Sequence, residues 1–213
     1  MTEALWYLSR GTGIISLVML TVVVVLGIGS RSGRPAFGLP RFAVTSVHRN
    51  ASLLAVGLLL VHVTTLLFDP YAQLRLVDLV VPFAGSYRPV WLGLGTLGFD
   101  LILVLVATSL VRHRLGARTW RFVHWAAYLA WPVALLHGLG TGTDAGQLWV
   151  RGIAAACLTA VVAAGYWRLS SGFERVAVSA GRAVPPGRMS VPAGWASGAT
   201  GRASVPSGQG RDR

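Results

Sequence analysis

Residues 47–68 read VHRNASLLAVGLLLVHVTTLLF, and residues 122–143 read FVHWAAYLAWPVALLHGLGTGT. Each run approaches or exceeds the roughly 20 apolar residues that a helix needs to cross a bilayer. Beyond Arg49 neither contains Asp, Glu, Lys or Arg, yet each carries two histidines: His48 and His62 at a spacing of 14, His124 and His137 at 13. An ionisable group inside an apolar span is costly and marks a functional position by default.

Three further runs lie around these two. Gly11 to Ser30 is uncharged, Pro89 to Val111 is interrupted by Asp100, and Leu148 to Trp167 carries Arg151 close enough to its end to snorkel toward headgroups. The expected fold is an all-α integral membrane protein, a bundle of about five transmembrane helices. Composition supports this: 54% of the 213 residues are hydrophobic and 12% charged, about half the charge that a soluble surface carries. All 19 cations are arginine, set against seven acids for a net charge of +12. The arginines flank the apolar runs instead of forming a face of their own, which argues against nucleic acid and for a lipid bilayer as partner. Cys157 stands alone in an apolar run, so no intramolecular disulfide or thiolate metal cluster is available. The first run reads as a retained span, because MTEALWYLSR is no simple basic leader and no small-residue cleavage site follows.

Arginine counts set the expected orientation. Arg31, Arg34, Arg41 and Arg49 lie between the first and second runs. Arg112, Arg114, Arg118 and Arg121 lie between the third and fourth, and seven more arginines follow the fifth. The opposite loops hold Arg10, Arg75, Arg88 and Arg151, balanced by Glu3, Asp69, Asp78 and Asp144. The N-terminus is therefore expected outside and the C-terminus inside, in a multi-pass protein of the cell (plasma) membrane. Residues 171–213, rich in Gly, Pro, Ser, Ala and Arg, read as a disordered cytoplasmic tail after a membrane domain over residues 1–170. LRLVDLVVPF (residues 74–83) is apolar and amphipathic, suited to a cap lying in the outer interface.

In this topology the two histidine-bearing helices run parallel. Spacings of 14 and 13 correspond to roughly 21 and 20 Å of helix axis, which sets His48 level with His124 and His62 level with His137. The angular match is poorer: fourteen residues return within about 40° of one face, and thirteen miss by about 140° on an ideal helix. Local unwinding at Pro132 is the expected remedy. Imidazoles approaching from two sides suit a six-coordinate haem iron. A single four-histidine zinc or copper site is excluded, since residues so far apart cannot converge on one ion. His113, without a partner at such spacing, is expected as a solvated loop residue. The competing reading is a haem-free small membrane transporter or scaffold whose histidines pack or relay protons, though a relay wants interleaved carboxylates and the spans offer Asp100 alone.

The pattern resembles the ferric reductase-like transmembrane domain family. That family includes the membrane parts of ferric reductases and NADPH oxidases, and the haem-binding membrane subunit of the bacterial methionine sulfoxide reductase system. The resemblance covers roughly Leu5 to Asp144 and is carried by the paired histidines, with support from LWYLSRGTG, VHRN and TSLVRHRLGARTWRFVHWAAYLAWPVALLHGLGTGTD. It implies transmembrane electron transfer through two b-type haems, a cytochrome b with His48 and His124 ligating the inner iron and His62 and His137 the outer. Arg49 and Arg121 would meet the inner haem's propionates and Arg10 and Arg88 the outer's, the plainer alternative being lipid phosphate contact. Trp131, midway between the two levels, packs between the haems or is an ordinary core aromatic. Asp100 is expected to accept a hydrogen bond from a ligand imidazole or from a helix neighbour, or to stay protonated. Gly138, Gly140 and Gly142 either leave room for a macrocycle edge or mark a helix end.

The chain departs from the family's larger members after the fifth run, where too few residues follow to build a flavin or nicotinamide domain. The G-x-G-x-x-G at Gly93, Gly95 and Gly98 lies inside a span with no strand before it, and reads as close helix packing instead of nucleotide binding. The chain is thus expected to be the electron-transfer subunit of an oxidoreductase system, with no catalytic residues of its own. Its electron donor or acceptor would be a separate flavoprotein, carrying FMN or FAD, or a quinol. Ferric iron is one conceivable acceptor among several.

Overall fold

The structure, a computed structural model, describes residues 2–30, 40–70, 72, 74–86, 88–142, 144 and 146–170. Five of its helices are long and apolar enough to cross a membrane: residues 3–29, 42–67, 89–110, 117–141 and 148–169. Among the described residues there is no strand. The tail expected over 171–213, and the loop holding Arg31 and Arg34, lie outside the described residues.

The elements are α1 (Thr2–Gly29), α2 (Arg41–Leu67), a short 3-10 helix at Leu76–Leu79, α3 (Pro89–Leu110), α4 (Arg112–Leu115), α5 (Ala117–His124), α6 (Ala127–Thr141) and α7 (Leu148–Leu169). Pro89 opens α3 at its first position, where its missing N–H costs nothing. Gly116, at φ 73°, makes the sharp turn that separates α4 from α5, a conformation favouring glycine. Arg168 at the end of α7 donates from Nη1 to the Tyr128 hydroxyl at 2.7 Å.

Helix α1 is the hub, packed along α2 and also against α6 and α7, while α3 lies against α6. The bundle buries small polar side chains among its apolar ones and turns large apolar side chains outward. Ser9, Thr12, Ser16, Thr21, Thr65 and Thr96 are buried, whereas Phe42, Phe122, Leu148 and Leu169 are more than three-quarters exposed. Lipid tails satisfy the outer residues. Small hydroxyl side chains let helices approach closely and return their hydroxyls to their own helix, as Thr12 does to Leu8 and Thr65 to Val61. The central apolar cluster joins Val24 and Ile28 of α1 to Trp131 and Leu135 of α6 and Cys157 of α7. Trp131 donates its indole N–H to Thr21 Oγ1 at 2.9 Å, which anchors α6 on α1 at mid-depth.

The fourth span is two helices. Between α5 and α6 the backbone tightens: Trp125 donates to Phe122, Ala126 to Val123, Tyr128 to Trp125 and Leu129 to Ala126, at 2.9–3.2 Å. The break falls at Trp125–Ala126 and not at Pro132, which stands inside α6. Its winding bears on the histidine spacing. A residue wound this way advances about 120° instead of about 100°. Four such steps recover about 80° of the 140° by which His124 and His137 miss each other on an ideal helix.

Candidate functional site

Three of the four paired histidines are held by one device, repeated. His62 donates from Nδ1 to the Ser9 carbonyl at 2.6 Å, His48 from Nδ1 to Val23 at 3.1 Å, and His137 from Nδ1 to Trp91 at 2.8 Å. A carbonyl only accepts, so each Nδ1 carries the proton and each Nε2 presents a lone pair. This tautomer is the one that a metal-ligating imidazole needs, and the second bond fixes its ring orientation.

Four residues beyond each accepting carbonyl stands a glycine: Gly13 after Ser9, Gly27 after Val23, Gly95 after Trp91. A Cβ there would come within 2.9 Å of His62 Cε1, 3.4 Å of His48 Cε1 and 2.5 Å of His137 Cε1 respectively. Each imidazole lies in the notch that the missing side chain leaves and reaches the carbonyl one turn below. On the antiparallel helices α1 and α2 the pairings keep one register: Gly13 and Gly27 are 14 apart, as are His62 and His48. The glycines of GLGTLG are thus not only packing residues. Gly95 seats a histidine, Gly93 makes room for the Phe83 ring and backbone, and Gly98 lies against Val133. Spacing alone could not have separated those roles; the signal was a glycine on a neighbouring span at the depth of a histidine.

The rings of His62 and His137 have centroids 6.4 Å apart and planes at 78°. They open onto a cavity of about 790 Å³ that also meets Ser16, Phe99 and Ile102. His48 and His124 likewise lie within electrostatic range of each other. His124 differs from the rest. Its Nδ1 is buried without a partner, and its ring stacks on Trp120 at 4.8 Å and 24°. His113 is exposed on the single turn of α4. Among the described residues no group of three or more His, Cys, Asp or Glu gathers as a metal site.

The arginines divide. Arg10 lines the cavity, with its guanidinium 4.3 Å over the Trp6 ring and Nη1 2.7 Å from Asp144 Oδ2, close but without hydrogen-bond alignment. Arg88 donates to the Gly140 carbonyl at 2.9 Å, Arg121 returns to Ala117 of its own helix at 3.0 Å, and Arg49 is exposed. Asp100 accepts from none of the three anchored imidazoles, whose Nδ1 protons go to backbone carbonyls instead. Gly138 and Gly142 line the cavity, while Gly140 makes room for the Trp91 ring. Trp131 is a buried core aromatic, level with Thr21 and so midway between Gly13 and Gly27.

The 3-10 segment closes the same end of the bundle. Leu76 and Val80 face outward, while Leu74, Asp78 and Leu79 line the cavity. Asp78 accepts from the Arg75 side chain (Nη2 to Oδ1, 3.2 Å) and from the Arg75 backbone N–H (3.0 Å), and its own carbonyl takes the Thr96 hydroxyl at 2.7 Å. The Arg75 side-chain bond, then its backbone N–H, hold the Asp78 carboxyl below its ordinary value. A group with a depressed pKa contributes fully above the usual carboxylate range and loses that contribution as pH falls through its folded value. Protection from hydrogen exchange over residues 75–81, taken relative to the intrinsic rate at each pH, is therefore expected to fall on acidification below about pH 4. Asp78→Asn should be weakly protected throughout and lack the acid step; an unchanged step in that variant would assign it to another group.

A family model described as ferric reductase like transmembrane component matches residues 12–135. The match spans more than half of the chain, takes in His48, His62 and His124, and stops two residues short of His137. No curated protein and no solved structure matches.

Proposed function

Because the chain belongs to the ferric reductase-like transmembrane family, whose domain implies membrane electron transfer, we propose that it carries electrons through two bis-histidine haem b groups. His62 and His137 would hold one, and His48 and His124 the other. The observation that carries the reading is the tautomer: three imidazoles spend Nδ1 on helix carbonyls and keep Nε2 free. A metal–imidazole bond is about 2 Å, and half a ring adds about 1 Å on each side, so two nitrogens on one iron put centroids roughly 6 Å apart. The 6.4 Å between His62 and His137 fits. The cavity beside them is of cofactor size and walled largely by apolar side chains. Two nitrogens are too few for a bare metal ion, and the porphyrin supplies the other four.

When bound, haem iron supplies one-electron oxidation and reduction. The rest is positioning by the chain. The Ser9, Val23 and Trp91 carbonyls orient the imidazoles and raise their basicity. Arg10 stands ready for a propionate and Ser16 Oγ, buried without a partner, for a polar edge. Trp131 and Thr21 fill mid-depth and keep water from the space between the two levels. Reducing equivalents would pass between a separate flavoprotein or quinol and an acceptor at the other face, in a plasma membrane with the basic loops inside.

The test is a reduced-minus-oxidised visible spectrum of the purified chain with pyridine haemochrome quantification. Close to two b-type haems per polypeptide are expected. One haem would remove a histidine pair from the proposal, and none from haem-replete cells would overturn it.

A further inference from the structure

We infer that the two haem sites are built unequally, and that the inner haem is the one whose axial histidine a small external ligand can displace. The inference rests on the dihaem reading above and concerns how that site responds. On α1 the seat of carbonyl and glycine occurs twice, 14 residues apart, at Ser9 with Gly13 and at Val23 with Gly27. On α3 it occurs once, at Trp91 with Gly95. Fourteen residues further on stand Leu105 and Ser109, on the helix that packs against α5. There the seat is closed: position 109 carries a side chain where the other seats have none.

His124 shows the consequence. Its Nδ1 is buried with no acceptor, and beside it the Trp120 indole N–H is buried and unpartnered as well. The Trp120 ring stacks on it, and stacking restrains the plane of an imidazole without choosing its tautomer. A ligand with no second bond is less basic and less firmly aimed at the iron. His48, His62 and His137 carry that bond; His124 does not. Of the four iron–histidine bonds, the one to His124 is therefore the weakest, and it opens first.

The experiment adds carbon monoxide to the reduced, detergent-purified full chain, with haem counted independently by pyridine haemochrome. One of the two haems is expected to form the adduct and the other to resist. In His62→Ala/His137→Ala the remaining haem should react, and in His48→Ala/His124→Ala it should not. Ser109→Gly empties the notch and should lower the reactive share. Two haems per chain with neither reacting, both reacting alike, or the outer one reacting overturns this inference alone. So does a reactive share unmoved by the Ser109 change. Fewer than two haems in the native chain withdraws the dihaem reading and this inference with it.

Discussion

Replacing His62 and His137 together with alanine is expected to halve the haem content and leave the remaining haem's spectrum intact. The two sites share helices but draw on different carbonyls. His62 and His137 stand at the end of the bundle that holds Arg10, Asp144 and the 3-10 segment, and they take their carbonyls from Ser9 and Trp91. His48 takes its carbonyl from Val23, a full 14 residues along α1. Helix α1 keeps its packing on α6 and α7 through Val24, Ile28, Trp131, Leu135 and Cys157, none of which is altered in the variant. The bundle should therefore fold and lose one chromophore. Loss of both haems would mean that the sites assemble as one unit. Retention of both would mean that neither histidine is a ligand.

Gly95→Ala should be nearly as damaging without touching a ligand. The new Cβ would stand 2.5 Å from His137 Cε1 and just over that from its Nδ1, in a notch walled by the helix backbone. Either the ring leaves the Trp91 carbonyl or α3 moves off α6. Overpacking of this kind costs about 1–3 kcal/mol, and a term of that size corresponds to roughly 5- to 150-fold in affinity. Haem retention at the outer site during dilution is expected to fall accordingly. Gly98→Ala serves as the control on the same helix. Its Cβ would meet Val133 at an ordinary 3.6 Å, and alanine is the better helix former by about 1 kcal/mol. The Gly98 variant should retain both haems. If Gly95→Ala did so too, the seat would be incidental to ligation.

Much of this was legible in the chain. Five apolar runs gave five spans because a bilayer sets the length of a helix regardless of what it packs against. The paired depths of the histidines followed from rise per residue, which four tightly wound residues change by only about 2 Å in all. Angle is more sensitive, and so the 13-residue spacing read as a tension. The overwound turn at Trp125–Ala126 has no local proline or glycine to announce it. Carbonyl acceptors carry no side-chain signature at all, which is why Asp100, the visible acid, drew the expectation that Ser9, Val23 and Trp91 fulfil. The role of Gly95 was hidden for a related reason. A notch is defined by what enters it, and His137 lies 42 residues away.

The shared register of α1 and α2 makes the pair behave as a ruler with two marks. Gly13 and Gly27 fix both depths on one rigid helix, and His62 and His48 read them off. The interval is thus stored in helix pitch, not in the connection between the helices. Residues added between Ser30 and Pro40 would leave the interval unchanged, whereas one residue added between Gly13 and Gly27 would rotate one seat about 100° away from its histidine. Length variation in a protein so built is permitted at its bends and forbidden along its shafts.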